Sequence, residues 1–153
     1  YLIIGEGADK KNLESEVKKR DYSFIEMIPG MPMNELEQYY EKTQWSVITL
    51  NKSEDFKDTI PSKLFQIMGR GIAVLFIGPD GETADIIREL KSGIALTGTL
   101  DEDIATLREF FQDECWMDRL LEMGQRGRSA VLENYSRKKL AIKYLKLFEE
   151  ARN

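Results

Sequence analysis

The sequence predicts an α/β protein with a doubly wound, mostly parallel sheet, helices on both faces and a helical C-terminal segment. Short apolar runs alternate with amphipathic stretches about five times, the order that builds parallel sheets through right-handed crossovers. The runs Leu2–Ile4 and Ala73–Ile77 are continuously apolar, as strands buried on both faces are. From Asp101 onward the strand-like runs give way to helical stretches.

Each element follows from its hydrophobic periodicity and its flanking residues. Leu13 and Val17, four residues apart, mark one face of the first helix. The predicted strands are Tyr1–Gly5, Tyr22–Ile28, Trp45–Leu50, Ile72–Ile77 and Ile94–Thr97. The helices between them are Asp9–Arg20, Met33–Lys42, Pro61–Arg70 and Thr83–Ser92, and we expect Gly93 to end the last of these as its C-cap.

Three further helices are predicted after the last strand: Asp101–Phe111, Met117–Leu132 and Arg137–Ala151. Gly124 and Gly127 are expected to soften the second of them, and Asn134–Ser136 separates it from the third. Helical spacing predicts a core stripe of Leu107, Phe110, Phe111, Leu120 and Leu121.

Length and composition narrow the possible classes of protein. The chain has 153 residues, 42% of them hydrophobic, which suits one domain with its own core. The net charge of −5 does not favour nucleic-acid binding, which a basic excess usually accompanies. The longest apolar run, Ile72–Ile77, is strand-sized, so we expect no membrane span.

The titratable residues exclude several kinds of active site. The sequence has no histidine, which excludes a Ser-His-Asp triad, a Cys-His pair and every histidine-based metal site. Its single cysteine, Cys115, cannot form an internal disulfide, and this fits a reducing compartment. Chemistry here must therefore use carboxylates, lysine, arginine, hydroxyls or backbone dipoles.

A glycine-acid-glycine turn, Gly5-Glu6-Gly7, ends the first predicted strand. A dinucleotide fingerprint would place its third glycine at position 10, which is Lys10. A tight strand-to-helix turn explains these glycines better. The turn nevertheless falls at the carboxyl edge of the predicted sheet, where doubly wound folds bind their ligands.

The most informative stretch is Asp58-Thr59-Ile60-Pro61-Ser62-Lys63. Pro61 suits the first position of a helix, which leaves the N–H groups of Ser62, Lys63 and Leu64 without a side-chain cap. Lys63 in the first turn opposes the helix dipole at a cost of about 0.3–1 kcal/mol. A bound anion such as a diphosphate would accept hydrogen bonds from the uncapped N–H groups and would offset the charge of Lys63. The structural alternative is that water solvates Lys63 and these N–H groups.

Two other loops lie on the same predicted edge. Gly78 and Gly81 follow the fourth strand and let a ligand approach the backbone, with Thr83 as the expected N-cap of the next helix. Glu82 suits the helix dipole without any further role. Gly30 and Met31, flanked by two prolines, form either a rigid turn with no binding role or the rim of a nucleobase pocket.

The chain resembles the C-terminal, nucleotide-sugar-binding domain of family 4 glycosyltransferases, which is the Rossmann-like half of a GT-B fold. The resemblance rests on the order of its motifs along nearly the whole chain. They are Leu2–Gly7, Phe24–Gly30, Asp58–Met68 (similar to a Pro-Ser-Lys-x-x-Glu stretch of a polysaccharide-synthesis branch), Gly81–Glu82 with Gly93–Ile94, Met123–Arg128 and Asn134–Ser136.

The resemblance implies transfer of a sugar from a nucleotide diphosphate to a glycan or lipid-linked acceptor, with retention at the anomeric carbon. It implies no cofactor and no metal, because helix dipole and cations balance the leaving diphosphate. It assigns Asp58 to the sugar as the catalytic position. Binding of the donor falls to Gly5, Gly7, Gly30, Met31, Pro61, Ser62, Lys63, Gln66, Gly81 and Glu82.

The chain departs from the family's pattern in two ways. Where the family has two glutamates separated by seven residues, this sequence has Asp58 and Gln66. Gln66 hydrogen-bonds a ribose hydroxyl without charge assistance, so we expect a weaker contact. The family's acceptor domain and its diphosphate-binding Arg and Lys precede the strand at Tyr1. We therefore expect residues 1–153 to be one domain, truncated at its N-terminus and inactive by itself.

The last predicted helix resembles the family's crossing back to that upstream domain. Its apolar face (Leu140, Tyr144, Leu147 and Phe148) is then expected to be partly exposed. The expected location is cytoplasmic, with peripheral attachment to the inner membrane through the upstream domain.

Two alternatives to a glycosyltransferase stay open. A nucleotide-sugar epimerase has the same fold, but the catalytic histidines of that family have no counterpart here. A non-catalytic nucleotide-binding or interaction module of the same fold is compatible with Gln66 in place of the second glutamate.

Overall fold

The computed structural model describes residues 1–135 and 137–151. The strands are β1 (Leu2–Ile4), β2 (Glu26–Ile28), β3 (Trp45–Thr49), β4 (Ala73–Ile77) and β5 (Gly93–Leu96). The helices are α1 (Lys10–Lys19), α2 (Met33–Tyr40), α3 (Ser62–Gly69), α4 (Glu82–Leu90), α5 (Leu100–Gln112), α6 (Trp116–Ala130) and α7 (Arg137–Ala151). Ser136, the last residue of the predicted break before α7 and of one family motif, lies outside the described residues.

The strand-helix alternation predicted from the sequence is confirmed, and so is the α/β class with parallel strands. Every predicted strand and helix overlaps an observed one. Two short pieces were not predicted: a 3₁₀ turn at Glu54–Phe56 and a π-helical turn at Val131–Tyr135. Both follow a longer element without a periodicity of their own, so the sequence carries no signal for them.

The contacts divide the chain into two compact units, Tyr1–Lys42 and Thr43–Asn153. In the first unit, β1 and β2 form a two-stranded parallel sheet in the register Leu2↔Glu26 to Ile4↔Ile28. The helices α1 and α2 each follow one of these strands. The assignment of the whole chain to one domain stays a prediction.

In the second unit, three parallel strands lie in the order β3-β4-β5, so β4 is central. Its residues Val74 and Phe76 are fully buried. Leu64 and Met68 of α3 and Ile87 of α4 are fully buried as well, and both helices contact the strands. These buried apolar side chains form most of the core and supply its main stabilising term.

Glycine marks the places where backbones approach β4 most closely. A Cβ at Gly93 would overlap the carbonyl oxygen of Val74, and one at Gly124 would overlap that of Gly71. Gly93 therefore begins β5 and is not the C-cap of α4, a position that Lys91 occupies with φ 48°. The expectation that Gly124 and Gly127 soften their helix was wrong, because α6 runs unbroken through both where it packs against the core.

The predicted core stripe of α5 and α6 is correct in part. Phe110 and Leu120 are buried and pack against Ala73, together with Trp45 and Trp116. Phe111 and Leu121 are about half exposed, at 48% and 55%; Phe111 lies at the margin of this cluster, in ring contact with Trp45 and Trp116. Helical spacing places residues on one side of a helix, but it does not say where the neighbouring helix stops covering them.

The apolar face of α7 is open to solvent along most of its length. Tyr144, Leu147 and Phe148 are all more than half exposed, which confirms the expectation for these three residues. Among the described residues, no helix is both long enough and apolar enough to cross a membrane.

Gly124→Ala tests the close approach of α6 to β4. Since the new methyl group would overlap the Gly71 carbonyl, we expect the free energy of unfolding to fall by about 1–3 kcal/mol, measured by urea denaturation. Gly7→Ala is the control, because no atom lies within 4 Å of its added Cβ. An equal loss in both variants would contradict the packing described here.

Candidate functional site

The candidate donor-binding residues fall into two sets, one in each compact unit. Gly5, Gly7, Gly30 and Met31 belong to the first unit and follow the ends of β1 and β2. Gly5 has φ +151°, a backbone region that favours glycine, and its N–H donates to the carbonyl of Ile28 at 3.2 Å. This hydrogen bond continues the β1–β2 ladder one residue beyond the strands.

Glu6 joins the two glycine loops of the first unit. Its Oε1 accepts hydrogen bonds from the Lys10 ammonium at 2.8 Å and from the Gly30 N–H at 3.0 Å. A Cβ at Gly30 would lie 3.2 Å from the Glu6 side chain, so glycine allows this close contact. The Lys10 and Gly30 hydrogen bonds stabilise the carboxylate and hold the pKa of Glu6 below its ordinary value.

In the second unit the candidate residues lie on two loops at the carboxyl ends of the strands. The longer loop leads from β3 to α3 and carries Asp58, which is exposed. The shorter loop leads from β4 to α4 and carries Gly81 and Glu82. Parallel neighbours place such loops at one edge of the sheet, so Asp58 and the N-termini of α3 and α4 lie on the same edge.

Helix α3 begins at Ser62, one residue later than predicted. Pro61 is the N-cap, with extended ψ 132°, and its carbonyl accepts the Leu64 N–H at 2.9 Å. The expectation that the Leu64 N–H lacks a partner was therefore wrong. The N–H groups of Ser62 and Lys63 precede the helical ladder and have no protein partner in the described part of the chain.

The first turn of α3 also lacks a negative charge. It contains no acidic residue and no side-chain cap, and within residues 1–135 and 137–151 Lys63 makes no ion pair. Helix α5 shows the contrast: Thr99 and Glu102 form a capping box, and three acidic residues occupy its first turn. The two open N–H groups and the lysine give α3 an N-terminus that suits an anion; α1 likewise has no side-chain cap and no acidic residue in its first turn.

Lys63 and Gln66 are exposed and share one face of α3, because residues three apart in a helix are neighbours. Leu64, Ile67 and Met68 are buried on its other side. The structure thus presents the predicted anion contact and the predicted ribose contact to solvent together, and core packing holds the helix that carries them.

Hydrogen bonds to two backbone carbonyls of the longer loop tie the shorter loop to it. The Glu82 N–H donates to the Lys57 carbonyl at 2.9 Å, and the Thr83 hydroxyl donates to the Thr59 carbonyl at 2.7 Å. Gly81 is the N-cap of α4, so the expectation that Thr83 caps it was wrong. Thr83 lies inside the helix, 2% exposed, and uses its hydroxyl for Thr59.

Two cations that the sequence analysis did not single out hold the same edge of the sheet. Lys52 donates to the Gly98 carbonyl at 2.5 Å and to the buried carboxylate of Asp103 at 2.6 Å. Arg88 donates to Asp80 at 2.6 Å and to the Thr97 hydroxyl at 3.0 Å, which lowers the pKa of Asp80. Arg88 also pairs with Asp85, three residues away in α4, but the partners that join separate loops lie 8 to 51 positions away.

The arrangement can bind an anion without a metal ligand set. Among the described residues, no three Asp, Glu or Cys side chains lie close enough to hold a metal ion.

No protein-family model matches the chain, and no curated protein matches it. The resemblance described above rests on the order of the motifs alone.

A pH titration tests the contact of Glu6 with Gly30. Because the folded-state pKa of Glu6 lies below the ordinary value of 4.5, the contact and its stabilisation should persist at that pH and disappear only as the pH falls through the lower pKa. The amide chemical shift of Gly30, followed by NMR, reports the transition. Glu6→Gln should abolish it, and a midpoint above 4.5 in the wild type would contradict the assignment.

Proposed function

We propose that this chain is the donor-binding part of a retaining GT-B glycosyltransferase, which binds a nucleotide-diphosphate sugar for transfer to a glycan or lipid-linked acceptor. A doubly wound sheet, an upstream acceptor domain and a cytoplasmic location, peripheral to the inner membrane through that domain, belong to this proposal. The order of the family-like motifs supports it, and so does the geometry of α3.

The open N-terminus of α3 is the observation that carries the proposal. A helix that offers two unpaired N–H groups and a lysine, at the carboxyl edge of a parallel sheet, has the features with which proteins bind phosphate groups. Stabilisation of the departing diphosphate by such fixed donors is usually the largest catalytic term in group transfer. In this proposal the Lys63 ammonium and the dipole of α3 supply part of that stabilisation.

Each candidate residue takes a separate role in this proposal. Pro61 fixes the start of α3, and the N–H groups of Ser62 and Lys63, with the Lys63 ammonium, bind the diphosphate. Gln66 binds the ribose hydroxyls, and Asp58 contacts the transferred sugar. The resemblance also implies donor binding by Gly5, Gly7, Gly30, Met31, Gly81 and Glu82.

A non-catalytic nucleotide-binding module is the second candidate function. Gln66 favours it, since an amide in place of the family's second glutamate weakens the expected ribose contact. Both candidates predict nucleotide binding by α3. They differ in whether a longer protein that contains the upstream domain transfers a sugar.

Lys63→Met tests the anion site. We expect the wild-type chain to bind one of UDP, GDP and ADP saturably in calorimetry, and the variant to bind it about 10- to 100-fold more weakly because a charge-assisted contact is lost. Lys18→Met is the control, since Lys18 is an exposed lysine in the last turn of α1, away from any helix N-terminus. Equal affinities of wild type and Lys63→Met would contradict the assignment.

Gln66→Glu tests the ribose contact. A carboxylate makes a stronger hydrogen bond to a hydroxyl than an amide does, so affinity for the bound nucleoside diphosphate should rise about 3- to 10-fold. The matched ligand is the 2′,3′-dideoxy form of the same nucleotide, for which the variant should show no gain. A gain of equal size with both ligands would point to a contact other than the ribose.

A further inference from the structure

The first turn of α4 is occupied by the protein's own backbone. The N–H of Glu82 is used by the Lys57 carbonyl at 2.9 Å. A Cβ at Gly81 would overlap that same carbonyl oxygen, so the glycine is needed for the approach of Lys57. The N-terminus of α4 therefore differs from that of α3, although both lie at the same edge of the sheet.

The hydroxyl of Thr83, one residue after Glu82, supplies a second anchor. It is enclosed, with Thr83 only 2% exposed, and it donates to the Thr59 carbonyl at 2.7 Å. Water cannot easily replace this donor, because the side chain has almost no contact with solvent. Removing the hydroxyl would leave a carbonyl without its partner.

Asp58 lies between the two anchored residues, Lys57 and Thr59. Its own side chain is exposed, so the position of its carboxylate depends on the backbone that α4 holds on either side. Only Ile60 and Pro61 separate the second anchor from the first residue of α3. The same hydrogen bonds therefore fix the approach of the chain to the open N-terminus of α3.

We infer that Gly81 and Thr83 are positioning residues, through which the first turn of α4 holds Asp58 and the N-terminus of α3 in place for the nucleoside diphosphate part of the donor. This inference rests on the proposed function and assigns Gly81 a role different from direct donor contact. The diphosphate is bound by α3, and the first turn of α4 holds the loop that leads to α3.

The test uses Thr83→Val, which keeps the size of the side chain and removes the hydroxyl. Thr83→Ala, a second variant without the hydroxyl, covers the case in which one of them folds poorly, and Thr83→Ser restores the donor. Thr106→Val is the matched control, because the Thr106 hydroxyl also donates to a backbone carbonyl, at 3.0 Å, but within α5. Thermal unfolding of each variant identifies any that do not fold.

Two readouts are measured on the 153-residue chain. Hydrogen exchange of the Thr59 and Leu64 amides, which donate to the carbonyls of Phe56 and Pro61, should become about tenfold faster without ligand in Thr83→Val and Thr83→Ala. Affinity for the nucleoside diphosphate that the wild type binds should fall about tenfold in both variants. Thr83→Ser should stay within about twofold of wild type in both readouts, and Thr106→Val should change neither.

The outcomes separate the inference from the proposed function. Unchanged exchange and affinity in a folded Thr83→Val or Thr83→Ala would overturn the inference while leaving donor binding intact. Loss of affinity in Thr83→Ser equal to that in Thr83→Val would also overturn it, since the hydroxyl would not be the cause. Absence of nucleoside diphosphate binding by the wild type would overturn the proposed function itself.

Discussion

The burial of β4 between β3 and β5 is the constraint on which the second unit depends. Val74 and Phe76 are fully buried, and the backbone around the strand is approached so closely that Gly93 and Gly124 leave no room for a Cβ. Interiors packed to this density do not tolerate a shift of one element without a shift of its neighbours. The positions of β3, β5 and α6 therefore follow from that of β4.

The loops at the carboxyl edge have fixed starting points, because each begins where a packed strand ends. Hydrogen bonds then hold the loops relative to one another: Lys52 binds the segment after β5, and Arg88 joins the segments after β4 and β5. Both cations are partly exposed, so their ion pairs contribute little stability. The two cations instead fix the relative positions of the loops that carry the candidate residues.

Glycine is required in this structure for two different physical reasons. At Gly5 the backbone takes φ +151°, whereas at Gly81 and Gly93 a neighbouring carbonyl needs the space of the missing side chain. The sequence analysis expected ligand approach at Gly81 and a helix end at Gly93. It identified these glycines as special positions, but the neighbour that makes them special comes from a distant part of the chain.

The sequence by itself determined the order and type of the elements, since periodicity is a local property that a few successive residues express. Leu64, Ile67 and Met68, for example, already mark the buried side of α3. Only the tertiary structure decided that Thr83 anchors Thr59, that Phe111 lies at the margin of the core, and that α3 rather than α4 has an open N-terminus. These outcomes depend on partners many residues away, whose proximity arises when the strands and helices pack.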